Sequence, residues 1–248
     1  MAQAEKIAGG YQVTAGPVFS RRGYLLFSDV TSNRILKWEQ GKITVLRENS
    51  RGAKSNTFDH QGRLLTCEIG QVTRTEKDGK ITVLASGLKE PADLVYAIDG
   101  SIYFTDPPAG LVYQRTRNGE MRPVSRDCER PVGVALAPDQ QHLFVTDGAR
   151  RQLRVFEVKG DGSLANGKVF ATLEDDPGGL KTDESGGVWI AGSAGVHHLD
   201  KAGAKLETIT LPEPAGNFNW GEGFQDLYIT AGTSVYHVRA SVKGTRTY

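Results

Sequence analysis

Six short apolar runs punctuate the chain, each set off by a turn. They read Leu-Leu-Phe-Ser-Asp at 25–29, Leu-Leu-Thr-Cys-Glu at 64–68, Ile-Tyr-Phe-Thr-Asp at 102–106, Leu-Phe-Val-Thr-Asp at 143–147, Val-Trp-Ile-Ala-Gly at 188–192 and Leu-Tyr-Ile-Thr-Ala at 227–231. Their starts fall 38 to 45 residues apart. The turns ahead of them include Arg22-Gly23, Gln61-Gly62, Asp99-Gly100 and Ser185-Gly186. Short runs rich in β-branched and aromatic residues, bounded by Gly and Asp, predict strands.

Behind each run comes a second strand-like stretch, at 34–38, 72–75, 112–115, 153–158, 196–199 and 235–239. Five of the six units continue through a turn into a third, more polar one, at 43–46, 81–84, 121–124, 169–173 and 206–211. A further short segment precedes each turn, as at 55–58, 92–95 and 132–136. A repeat of about 40 residues carrying four short strands is the signature of a propeller blade. The expectation is an all-β chain, a six-bladed β-propeller with four-stranded blades, filling residues 1–248 as a single domain. The sixth unit lacks an outer strand, and residues 6–13 belong to no unit. The N-terminal strand is therefore expected to close the ring beside 235–239, which removes an exposed edge.

Composition narrows the function classes. With 30 Lys+Arg against 29 Asp+Glu the net charge is +1, which gives no electrostatic footprint for nucleic acid or an anionic membrane. The basic pairs Arg21-Arg22 and Arg150-Arg151 read as solvated turns. Cys67 and Cys128 read as two buried free thiols, with no disulfide framework and no metal spacing. The opening Met-Ala-Gln-Ala-Glu-Lys has no apolar core, and no 18-residue apolar run follows. The expected protein is cytoplasmic and monomeric, with a small molecule as its partner.

The inner strand of every propeller blade faces the central channel, so equivalent positions converge near the axis. Here those strands begin at Ala15-Gly-Pro, Ser55-Asn-Thr, Pro91-Ala-Asp, Pro131-Val-Gly, Pro177-Gly-Gly and Gly216-Asn-Phe. The first of these, followed by 25–29, resembles the opening of the gluconolactonase family. The likeness continues through Phe-Asp-His-Gln-Gly-Arg-Leu-Leu at 58–65, Asp-Gly-Ser-Ile-Tyr-Phe-Thr-Asp-Pro at 99–107 and Arg-Pro-Val-Gly-Val at 130–134. With 183–189 and 227–236 it covers nearly the whole chain. The resemblance implies a six-bladed propeller, lactone or ester hydrolysis, and calcium or another divalent ion in the channel. It also implies a ligand set: the Glu of Glu-Gly-Pro, the Asn of Pro-Asn-Asp, the Asn of Pro-Asn-Gly and the Asp of Pro-Asp-Gly. Those positions fall on Ala15, Ala92, Val132 and Gly178, none of which has a side-chain oxygen. A hard cation takes six or more oxygens, carboxylates among them. The reading therefore expects no metal and no cofactor in this chain.

Asn56 and Asn217 are read as equivalent ring positions that match asparagines of the family pattern. Asp93 and Asp176 lie one and two residues from lost ligands, and strand alternation turns a one-residue neighbour to the other face. Asn56, Asp93, Asn217, Glu90 and Arg130 are the candidates for contact with a channel ligand. Asp29, Asp106 and Asp147, at strand ends, are expected to accept backbone N–H bonds. The adjacent His197 and His198 point to opposite faces, and His60, His142 and His237 show no paired carboxylate. No Gly-x-Ser-x-Gly, His-Glu-x-x-His or phosphate loop occurs. The functional expectation is a propeller that binds a small polar, sugar- or lactone-like molecule in its channel without the family's metal. The alternatives are a lactone or ester hydrolase working through a rearranged or metal-free site at Asp93, Glu90 or Arg130, and a protein-interaction propeller using its rim loops.

Overall fold

The second strand of each unit is buried along nearly its whole length. In the computed structural model, which describes residues 3–245, Leu64–Glu68, Ile102–Asp106 and Val188–Gly192 are buried at every position. A strand covered on both faces carries a continuous apolar run instead of an alternating one. Outer strands such as Lys42–Glu48 are mostly solvated, which explains their polar character.

The strands of the described residues form six four-stranded antiparallel sheets in a ring. Blade one runs Thr14–Ser20, Tyr24–Asp29, Arg34–Glu39, Lys42–Glu48, from axis to rim. Blades two to five repeat this meander, with inner strands Ser55–Phe58, Leu94–Tyr96, Pro131–Leu136 and Leu180–Thr182. Blade six takes Ala215–Trp220, Asp226–Ala231 and Ser234–Arg239 from the end of the chain and Glu5–Gly9 from its beginning. Lys6 faces Tyr236 and Gly9 faces Ser234 across that closing pair. The N-terminal strand thus closes the ring, but it is shorter than residues 6–13. Gly10 turns the chain with φ +87°, and Tyr11 packs edge-on against Phe27 with ring centroids 5.1 Å apart.

The core is divided into six apolar wedges, one between each pair of neighbouring blades. Leu65, Cys67, Leu94, Ile102 and Phe104 fill the wedge between blades two and three. Trp189, Phe218, Trp220 and Ile229 fill the one between five and six. Both thiols are free and buried, Cys67 in the wedge between blades two and three and Cys128 in that between three and four.

Turn chemistry repeats with the blades. The carboxylates of Asp59, Asp99, Asp139 and Asp183 each accept the N–H two residues on, from Gln61, Ser101, Gln141 and Ser185, at 2.8–2.9 Å. At the opposite end of the blades, Asp106 accepts from Lys89 and Glu90 N–H, and Asp147 from Glu129 and Arg130 N–H. Asp29 does the same more loosely for Gln12 and Val13, at 3.3 Å each. These aspartates fix the chain where it enters the next inner strand. Beyond blade six, the C-terminal segment crosses back under blade five. Its Gly244 bridges Asp183, and Thr245 N–H donates to the Thr182 carbonyl at 3.0 Å. Nothing in the repeat pattern announces that crossing.

Candidate functional site in the channel

Register decides which inner-strand residues face the axis. Asn217 pairs with Thr230 and Ser55 with Cys67, both partners being the fourth residue of their apolar run. Asn56 pairs with Thr66, the third. The equivalence expected of Asn56 and Asn217 therefore does not hold, because a one-residue slip turns a strand side chain to the other side. The Asn56 amide is taken up between blades: its Nδ2 donates to the Gly16 carbonyl at 2.8 Å and to Ser28 Oγ at 3.1 Å, and its Oδ1 accepts from Thr66 at 3.0 Å. Ser55 is the true counterpart of Asn217.

Asp93 belongs to the same layer. Its backbone exchanges bonds with Thr105, again the fourth residue of a run. The one-residue offset from Ala92 does not turn it away from the axis, because Asp93 lies two residues before Val95 and shares its face. Asp93 Oδ1 accepts from Ser55 Oγ at 2.5 Å and from Asn217 Nδ2 at 3.2 Å, and Oδ2 accepts the Val134 N–H at 3.1 Å. Residues of blades two, three, four and six thus meet at one buried carboxylate.

One layer further along the channel stands Lys181, two residues beyond Gly179 and hence on the same face of blade five. Its ammonium donates to the Leu180 carbonyl at 2.9 Å and to Asn217 Oδ1 at 3.4 Å, and lies 5.8 Å from the centre of the Phe218 ring. Burial holds its pKa below the usual lysine range, and the charge of Asp93 opposes that shift. The sequence reading did not find this residue. The signal was available: the channel-facing counterparts Thr57, Val95, Ala135 and Asn219 are all uncharged.

The remaining candidates lie away from this cluster. Glu90 is half-exposed and pairs with Lys54 Nζ at 2.5 Å. Arg130 lies exposed against Gly148, and Asp176 pairs with Arg151 at the surface. His197 and His198 do point to opposite sides, toward Asp175 at 3.2 Å and Asp183 at 3.0 Å. The expectation of unpaired histidines fails for two others: His142 meets Asp139 at 3.3 Å and His237 meets Asp226 at 2.9 Å. Asp139 stands three residues ahead of His142 in the same turn, and Asp226 opens the strand paired with that of His237.

The mouth of the channel where the inner strands begin carries Ala15, Ala92, Val132 and Gly178. The Val132 and Gly178 carbonyls accept the hydroxyls of Thr105 and Thr146 from neighbouring blades, at 2.6 and 2.9 Å. A Cβ at Gly178 would overlap the Gly216 carbonyl oxygen. Among the described residues no three His, Cys, Asp or Glu side chains come together to hold an ion. With no side-chain oxygens at four positions, two carbonyls engaged and an ammonium beside the buried carboxylate, these residues do not fit a hard divalent cation.

The profile of the SMP-30/Gluconolactonase/LRE-like region matches residues 13–233. The chain belongs to this family. It is 24% identical over 97% of its length to a gluconolactonase of Zymomonas mobilis, covering 82% of that protein. A gluconolactonase structure from Xanthomonas campestris is 29% identical, with a TM-score of 0.90 over 96% of this chain and 89% of that one. The calcium-binding regucalcin of Agrobacterium tumefaciens, at 12% identity, shares the fold with a TM-score of 0.86 over 100% of this chain and 96% of that one. On the axis of this chain stand the polar layer of Ser55, Asp93 and Asn217 and, one layer on, Lys181.

Proposed function

We propose that this chain binds a small polar, sugar- or lactone-like molecule in its central channel, and does so without a divalent ion. The observation that carries this reading is the convergence of Ser55, Asp93, Lys181 and Asn217 from four blades on the axis. A few convergent polar groups inside an otherwise apolar ring are what orient a small ligand. Where the inner strands of blades six, one and two end, a cleft of about 530 Å³ opens, lined by Phe19, Tyr24, Phe58 and Trp220 with Arg22. Its volume suits a ligand of hexose size. Trp220 also lines the cavity of about 40 Å³ that holds Lys181, so a sugar-like ring would sit in the cleft and present only a small polar group toward the ammonium.

Asp93 is better placed to orient than to act as a base, because hydrogen-bond donors from three other blades occupy its oxygens. Similarity to gluconolactonases over the full chain supports a second reading, hydrolysis of a lactone or ester at this site. There the Lys181 ammonium would stabilise the oxyanion that develops on the attacked carbonyl. Titration calorimetry with glucono-δ-lactone and with sorbitol, in chelator, beside a lactone-hydrolysis assay, separates the two. Binding without turnover supports the first reading and turnover without metal the second. Absence of both overturns the proposal.

A further inference from the structure

We propose that Lys181 supplies the positive charge of the axial site, so that the ion this channel receives is a small carboxylate and not a divalent cation. The inference rests on the channel's being the binding site. An ammonium has three donors. Lys181 uses one on the Leu180 carbonyl and a long second one on Asn217 Oδ1. Its third finds no partner among the described residues. The Oδ1 of neighbouring Asn219 accepts the Phe19 N–H at 3.4 Å, while its Nδ2 makes no bond among the described residues. Both groups line one cavity, along with Thr57, Tyr96 and Gln140. That cavity therefore offers unspent donors, one of them charged, and no free carboxylate. Asp93, the nearest acid, is already satisfied by Ser55, Asn217 and Val134 N–H.

Size and charge then choose the ligand. The cavity holds about 40 Å³, room for roughly three waters. A hexose ring does not enter it and would stay in the outer cleft, whereas a carboxylate head with one or two further atoms does enter. A charge-assisted bond from an ammonium to a carboxylate is about twice as strong as a neutral one. A dication would face the fixed ammonium and few unengaged oxygens, too few to replace its hydration shell.

Titration calorimetry on the full chain tests this with three probes: glycolate, its uncharged counterpart ethylene glycol, and calcium chloride. The wild type should bind glycolate at least about tenfold more tightly than ethylene glycol, with one site per chain, and calcium at millimolar concentration should give no binding heat. Lys181→Met, checked for folding by circular dichroism, should lose that preference. Stoichiometric calcium binding, equal affinity for glycolate and ethylene glycol, or glycolate affinity undiminished in Lys181→Met would each overturn the inference. The wild-type comparison stands even where the variant does not fold. A chain that binds glucono-δ-lactone but not glycolate refutes the carboxylate assignment alone. One that binds neither refutes the channel reading as well.

Discussion

At the scale of single residues, buried carboxylates carry much of the specificity of this fold, and their environments set its response to acid. Burial pushes the Asp183 carboxyl up, but His198, Ser185, the Trp189 indole and the Gly187 N–H together hold it well below the usual carboxylate range. Asp147 behaves alike: the N–H groups of Glu129, Arg130, Arg150 and Ala149 outweigh its burial. A depressed folded-state pKa contributes stability that is present above the unfolded value and is lost as pH falls through the folded one. Stability should therefore decline as pH drops below about 4. Asp183→Asn should cost about 3 kcal/mol at neutral pH and flatten that decline, as denaturant titrations at a series of pH values would register. A second residue-scale prediction concerns Gly178. An aspartate there, the residue the resemblance implies for this position, pushes a Cβ into the Gly216 carbonyl, so Gly178→Asp should lower Tm. Adding calcium to this variant should not recover the loss; a calcium-dependent rise in its melting curve would contradict this account.

At the scale of elements, neighbouring blades are held together by apolar packing and by hydrogen bonds that cross between them. Apolar side chains fill the wedge and a threonine hydroxyl crosses to a neighbouring carbonyl, as from Thr105 to Val132, while an aspartate such as Asp147 caps the segment that leads into its own blade's inner strand. Truncating a wedge side chain leaves a cavity that two rigid sheets cannot close. Phe104→Ala should accordingly cost about 3–5 kcal/mol in chemical denaturation. Among the described residues, the strand Glu5–Gly9 ties the start of the chain to its last blade by a sheet ladder. Deleting residues 1–9 exposes the edge of Ser234–Arg239 and should lower Tm by about 10 °C. An unchanged melting temperature would mean that closure contributes little.

At the scale of the whole molecule, the ring should open as a unit, since every blade leans on two neighbours. Burial pushes the Cys128 thiol up to about 12 and the Cys67 thiol far above its ordinary value, so neither is reactive while folded. They sit in adjacent wedges. Iodoacetamide labelling at pH 8 should therefore be slow and equally fast at both, tracking global unfolding; much faster labelling of one thiol would reveal a blade that opens alone. The architecture was legible in the sequence for a physical reason. A strand buried on both faces must be apolar throughout, and its turn favours an acceptor two residues before a free N–H, so runs such as 102–106 recur in every blade and aspartate turns such as that of Asp99 ahead of four of them. Even ring closure could be read, as a strand missing at one end and spare at the other. The site was only partly legible. Asn217 and Asp93 could be picked out as polar residues near the start of inner strands. Which of Ser55 and Asn56 shares their layer depends on register, and one residue of slip reverses the answer. Lys181 looks, in one dimension, like any solvated lysine. Only the closed ring places its ammonium beside Asn217 and under the field of Asp93, because these groups lie 36 and 88 positions away along the chain and meet only where six separate strands converge on an axis.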